Sequence, residues 1–291
     1  MRQRWFCGLL CFVLITGGLI ISPRICHADG DATDYMIQAV SGVAETARKI
    51  QDKTRYGYDD SISLLGAYIR TGNTVTLTKQ LKKGDKYALL GSGDDDAQDV
   101  DIYINNSNGD RVAEDSDNDR QAVVEFEPTK TGKYTIVVKL HKSKTKASFC
   151  ALAILRKGGW NVPDTNFVDA MAKCIATCSQ LGKQRKDLHF HDQENQWSLF
   201  GSILESGQET TLTNIAMGTG KRIVVAAGDA NATDVDLFLL NSSGSVIEKD
   251  TEPDATPIFE YKTGGTGTYG IRVKNSKSKG PAMVIATLLD E

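Results

Sequence analysis

The sequence predicts a mostly β protein built as two tandem antiparallel β-sandwich domains, each preceded by an amphipathic helix. Three observations carry this. Sliding the 291-residue chain against itself by 135 positions puts Asp99-Val100-Asp101 on Asp234-Val235-Asp236, Gly109 on Gly244, Asp115 on Asp250 and Gly132-Lys133-Tyr134 on Gly267-Thr268-Tyr269. From Gly66/Gly201 to Ile154/Leu289 no gap is needed, and 29 of 89 aligned pairs are identical, which marks a duplicated unit. Inside the unit, short alternating runs separated by turn-formers and uninterrupted by helical patterns are the mark of an antiparallel sandwich. Before each unit, apolar residues recur every three or four positions, as on one face of a helix.

Residues 1–28 read as a secretory signal. Arg2 and Arg4 give a basic start, an apolar run extends from Trp5 to about Ile21, and Cys26-His27-Ala28 offers small residues for cleavage after Ala28. The alternative is an uncleaved anchor, since the run is close to the roughly 17 residues a span needs. Ile25 directly before Cys26 argues against a lipid-modified cysteine. A secreted or periplasmic location follows. The formal net charge of -3 understates the acidity left once Arg2, Arg4 and Arg24 are removed, so nothing here calls for nucleic acid as a partner.

After the leader, the first domain is expected over 29–155. Met36, Ala39, Val40, Val43, Ala47 and Ile50 form the stripe of a helix from Asp34 to about Gln51, capped by Thr33 or Asp31. Residues 52–64 read as a loop. Strands are expected near 67–70, 74–77, 86–91, 100–105, 122–127, 133–140 and 147–155. Turns fall at Lys83-Gly84-Asp85, Asn106-Ser107-Asn108-Gly109, Thr131-Gly132 and the lysine-rich loop 141–146. Residues 156–165, with Gly158-Gly159 and Pro163, read as a linker. The second domain, 166–291, opens with a helix from Asn166 to Leu181, capped by Asp164 or Thr165 and ended by Gly182. Each helix is expected to cover an edge or open face of its sandwich.

These residues resemble the bacterial pre-peptidase C-terminal domain family. The resemblance rests on Gly84-Asp85 before a strand, the Asp99 to Ile104 strand, the Asn108-Gly109 turn and Gly132 to Tyr134. In the second copy Asp234 to Leu239, Ser243-Gly244 and Gly267 to Tyr269 correspond, with Gly220-Lys221 in place of the Gly-Asp turn. It covers roughly 66–155 and 201–289. It implies a jelly-roll-like sandwich in each copy and an accessory role, since such modules usually trail a secreted peptidase, and some bind calcium or fibrous and polysaccharide matrices. This chain departs from that arrangement in offering no room for a peptidase after the leader.

The carboxylates kept in both copies are the candidate chemistry: Asp94/Asp229, Asp99/Asp234, Asp101/Asp236, Asp115/Asp250 and Asp119/Asp254, with Asp95 and Asp96 extra in the first. Calcium takes six to eight oxygens and suits clustered loop carboxylates, so Asp94, Asp99, Asp101, Asp115, Asp229, Asp234, Asp236 and Asp250 are the candidate ligands. The competing reading is turn chemistry, in which short carboxylates accept nearby backbone N–H groups. The spacing does not match an EF-hand loop. Lys142, Lys144, Lys277 and Lys279 stand at matching loops and could meet an anionic polymer, or merely discourage edge pairing. Trp160, Trp197, Tyr103 and Tyr134 are the aromatics that could stack on a sugar ring, though Tyr134/Tyr269, kept in both copies, suits core packing.

Catalytic patterns are missing from the sequence. There is no Gly-x-Ser-x-Gly elbow and no His-Glu-x-x-His. His189-x-His191 with Asp192 offers part of a transition-metal site against the simpler reading of a polar connection. Cys150, Cys174 and Cys178, an odd number, read as buried apolar residues. The expectation is therefore an exported non-catalytic binding or structural module recognising a matrix, glycan or protein surface, with calcium as the candidate cofactor. The alternative is a chaperone or inhibitor acting in trans on a separately encoded secreted peptidase.

Overall fold

The computed structural model describes residues 30–291; the predicted leader, its cleavage point and the leader cysteines lie outside them. The first repeat runs α1 (Gly30–Gln51), β1 (Tyr56–Tyr58), β2 (Leu64–Arg70), β3 (Thr74–Leu81), β4 (Tyr87–Gly93), β5 (Ala97–Asn105), β6 (Arg111–Asp115), β7 (Gln121–Phe126), β8 (Gly132–Ser143) and β9 (Ala147–Lys157). The second runs α2 (Asp164–Gln184), β10 (His189–Phe190), β11 (Leu199–Leu204), β12 (Glu209–Met217), β13 (Gly220–Gly228), β14 (Ala232–Leu240), β15 (Val246–Asp250), β16 (Ile258–Thr263), β17 (Gly267–Ser278) and β18 (Ala282–Asp290). The chain is mostly β and antiparallel throughout, as the alternation predicts.

Several boundaries differ from expectation. Helix α1 starts at Gly30, so Thr33 sits inside its first turn. Helix α2 follows Pro163 without a side-chain cap and continues through Gly182 to Gln184. Pro at a helix start costs nothing, because the N–H it lacks would be unpaired there anyway. Strands β1, β6 and β10 were not predicted: β1 and β10 are two or three residues long, and β6 is largely exposed, so none carries an apolar alternation. The 156–165 segment is tied down. Tyr58 and Trp160 exchange backbone hydrogen bonds at 2.8 Å in both directions, and the Gly158 N–H donates to Arg55 O at 2.7 Å.

The elements form three layers. A ten-stranded sheet in the order β16-β13-β18-β11-β2-β9-β4-β7, with β1 on β9 and β10 on β18, runs through both repeats. On one face lie two separate four-stranded sheets, β3-β8-β5-β6 and β12-β17-β14-β15. On the other lie α1 and α2, which touch each other. Two cores result. Leu65, Leu89, Ile102, Ile136 and Leu152, with Phe200, Val224, Leu237, Ile271 and Val284, fill one continuous layer between the sheets. Met36, Val40, Val43 and Ala47 of α1 and Ala170, Cys174 and Cys178 of α2 bury against Leu90, Phe149, Ala151, Val225 and Ile285 on the opposite face. Strands β4, β9 and β18 are thus buried on both faces, which is why apolar residues occupy successive positions in them rather than alternate ones.

The repeats meet at β2 and β11. Leu65 pairs with Phe200, its own equivalent in the other repeat, with Gly66 against Leu199 and Leu64 against Gly201 on either side. Ser63 N–H donates to Gly201 O at 3.0 Å, and Ser198 N–H donates to Gly66 O at 2.9 Å. A local two-fold axis therefore passes between Leu65 and Phe200. Glycine is required at 66, where an added Cβ would stand 2.5 Å from the Phe149 ring.

Candidate functional site

Most of the aspartates shared by the repeats hold turns. Asp94 is buried after β4; its Oδ1 accepts the N–H groups of Asp96 and Ala97 at 3.0 and 3.1 Å, and its Oδ2 accepts that of Phe149 at 2.7 Å. Asp229 repeats this with Asn231, Ala232 and Met283, and adds the Asn166 side-chain amide at 2.8 Å. Asp115 accepts Asp117 and Val123 N–H at 3.1 and 2.7 Å; Asp250 accepts Glu252 and Ile258 N–H at 3.0 and 2.8 Å. These four close the loops between neighbouring strands, as short carboxylates do. Burial pushes the Asp94 carboxyl up to about 6, against the pull of its three backbone donors.

The other pair lies on β5 and β14. An irregularity in each strand places Asp99 opposite Lys142 and Asp101 opposite Lys139, and likewise Asp234 opposite Lys277 and Asp236 opposite Lys274. Aspartates and lysines that are separate in sequence are thus cross-strand neighbours, and Lys274 Nζ lies 3.8 Å from Asp236. Asp101 accepts the Tyr103 hydroxyl at 2.5 Å, and Asp236 accepts that of Ser276. Burial and Asp101 hold the Asp99 carboxyl above its ordinary value while His141 pulls it down; burial, Asp236 and Asp254 raise Asp234 against Lys274 and Lys277. Asp99 Oδ1 and Asp234 Oδ1 are buried without a hydrogen-bond partner. Lys142, Lys144, Lys277 and Lys279 are all exposed, and Lys144 Nζ donates to Asp95 O at 2.7 Å.

The arrangement fits calcium poorly. Eight oxygens of Asp94, Asp115, Asp229 and Asp250 already accept backbone N–H groups, and cross-strand lysines stand beside the remaining four aspartates. Among the described residues no three His, Cys, Asp or Glu side chains converge as a metal site. His191 is buried and bonds through Nδ1 to Asp290 at 2.9 Å, which also lies 3.0 Å from Arg222 Nε; His189 faces Asp187 O at 3.0 Å. The His189-x-His191 pair is therefore divided between two different partners. The three cysteines are buried and free, with burial raising Cys150, and a bond to Cys174 together with burial raising Cys178.

Few of the aromatics are available for stacking. Trp197 and Tyr134 are buried, and Tyr134 donates to Lys130 O at 2.9 Å while packing edge-on against Phe126. Tyr103 is covered by the Arg111 guanidinium, 3.7 Å from its centroid, and Phe238 by Arg272 at 4.6 Å. Burial and the bond to Asp101 push the Tyr103 hydroxyl up to about 12.

Two features were not read from the sequence. One is a buried charge cluster in the first repeat, where Asp59 pairs with Lys79 at 2.8 Å and Arg156 at 3.1 Å; the partners are 20 to 97 positions apart, so no spacing announces them. The other is a groove of about 260 Å³ where β3 and β12, the end strands of the two outer sheets, face each other across the local axis. Its one sequence signal is threonine at alternate positions in both strands, Thr74-Thr76-Thr78 and Thr211-Thr213, where solvent-facing positions usually carry charge.

No family model and no curated protein matches the chain. Solved structures resemble it only distantly. The PBSX exported protein XepA aligns over 78% of this chain and 85% of its own at 10% identity and a TM-score of 0.25. The secreted serine protease VesC from Vibrio cholerae aligns over 84% and 52% at 14% identity and 0.22. The tandem CBM22 domains of Paenibacillus barcinonensis Xyn10C align over 81% and 92% at 8% identity and 0.23. At these scores the likenesses carry no functional argument.

Proposed function

We propose that the chain is an exported, non-catalytic binding module of duplicated, pre-peptidase-C-terminal-like sandwiches that recognises a matrix, glycan or protein surface. The observation that carries this is the division of labour among the repeated residues. Four of the eight candidate aspartates are engaged in holding turns, and the outer sheets carry Asp-Lys neighbours, in which Asp99 and Asp101 are buried, and Arg-covered aromatics. Such a surface suits recognition better than turnover, which needs convergent groups with an open position for a substrate. The described residues contain no helix long and apolar enough to cross a membrane, and the sequence of the leader supports export.

The reading predicts that purified protein sediments with insoluble cell-wall or matrix material and hydrolyses neither peptides nor glycosides. Recovery in the supernatant in every case, together with co-purification of a hydrolase, would favour the trans-acting alternative. Calcium has no part in this reading. Calorimetric titration is expected to give no saturable heat and an unchanged melting midpoint at millimolar calcium. Saturable binding lost on changing Asp99, Asp101, Asp234 and Asp236 to Asn would restore the metal site.

A further inference from the structure

The groove on the local axis is uncharged in a chain rich in charge. Charged residues make up 24% of the chain, yet none of the twelve residues lining the groove is ionisable. Thr76 and Thr78 face Thr211 and Thr213 from the other repeat, above a floor that includes Leu212 and the buried Trp197. The two non-glycine residues with positive φ among the described residues, Asn195 at 56° and Asn214 at 63°, both line it. Non-glycine residues in that region collect where a loop is held for a purpose, and asparagine tolerates it best. Asn214 owes its position to a bulge between Leu212 and Ile215, where β12 loses register with β17 and Thr213 and Asn214 are left unpaired. Bulges of this kind re-aim side chains. The equivalent position in the first repeat is Lys79, which turns inward to Asp59, so a charge that could have entered the groove is withdrawn from it.

The nature of the ligand follows from what is free to bind. Strand addition requires open main-chain groups along an edge. Here the adjoining loop engages one main-chain group of each edge strand: Trp197 Nε1 donates to Thr76 O at 2.8 Å, and Gln196 Oε1 accepts the Ala216 N–H at 2.9 Å. Thr76 Oγ1 donates to Asn195 Oδ1 at 3.2 Å, which leaves the hydroxyls of Thr78, Thr211 and Thr213 and the Asn214 amide over an apolar floor, a set complementary to a neutral, hydroxyl-rich molecule and indifferent to an ionic one. We infer that this groove is a binding site for a segment of a neutral glycan, formed jointly by the two repeats. The inference rests on the reading of the chain as a binding module and gives that reading a location and a ligand class.

The test is affinity electrophoresis of the whole protein in gels containing soluble β-glucan, xylan, galactomannan or, as the anionic contrast, polygalacturonate, run beside immobilised extended peptides. Retardation by at least one neutral polysaccharide is expected, unchanged by 0.5 M NaCl. The Thr78→Val/Thr213→Val double variant, which keeps β-branched side chains on exposed strand positions, is expected to weaken it at least ten-fold with an unchanged melting midpoint. Asn214→Gly, which keeps the backbone conformation but removes the amide, is expected to weaken it as well, and Lys142→Gln/Lys277→Gln to leave it intact. Binding that survives both groove variants, or is confined to the anionic polymer or the peptides, overturns the groove and leaves the binding-module reading standing. Retention by none of the probes overturns the groove; if the cell-wall and matrix sedimentation is negative too, the broader reading falls with it.

Discussion

Asp94 illustrates how a single residue can look functional and be structural. Its carboxylate closes the β4–β5 turn and receives the start of β9, joining three segments through one side chain. Because the folded-state carboxyl is raised to about 6 from an ordinary 3.8, the native state holds a proton that the unfolded chain has released between those values. Its stabilising contribution is complete below the lower value and is lost as pH rises to the upper one, by up to about 3 kcal/mol. Asp94→Asn should remove this dependence, so the stability advantage of wild type over the variant, measured by urea unfolding at pH 4 to 7, should shrink as pH rises. A gap that is constant or widens would mean the carboxylate is ionised throughout. At this scale the sequence offered the right residues with two open readings. It could not decide between them, because the deciding partners, such as the Phe149 N–H, are 55 positions away.

At the scale of elements, periodicity was readable wherever one face of a strand or helix met a core. The stripe from Met36 to Ile50 gave α1, and the alternation over 100–105 gave β5, in which Val100, Ile102 and Ile104 are buried. The exposed edge strand β6 and the two-residue β10 have no such face, so they left no pattern. The glycines of the joint were visible only as the first identity of the repeat, without a reason. The structure supplies one at Gly66, where Ala would press on Phe149; Gly201 has more room, its added Cβ lying 3.3 Å from Ile285. Gly66→Ala should therefore destabilise by about 1–3 kcal/mol through overpacking, and Gly201→Ala by less. Thermal melts of the two variants would show the order, and equal effects would argue that the β2–β11 pairing is looser than described.

For the whole molecule, duplication was legible to the residue, but the relation between the copies was not. A gapless offset says that a unit occurs twice and is silent on whether the copies hang from a linker or share a sheet. What joins them is a three-residue ladder, Leu64-Leu65-Gly66 against Leu199-Phe200-Gly201, backed by one core layer that runs across the axis. The same axis brings β3 and β12 together and makes the groove, so a site composed of both repeats depends on that joint. Burial shared between repeats couples their unfolding, since neither can open without exposing Leu65 or Phe200. Differential scanning calorimetry of the purified protein tests this most directly. One transition with equal calorimetric and van't Hoff enthalpies is predicted; two separable transitions, each carrying about half the heat, would show the repeats to be independent and would dissolve the composite groove.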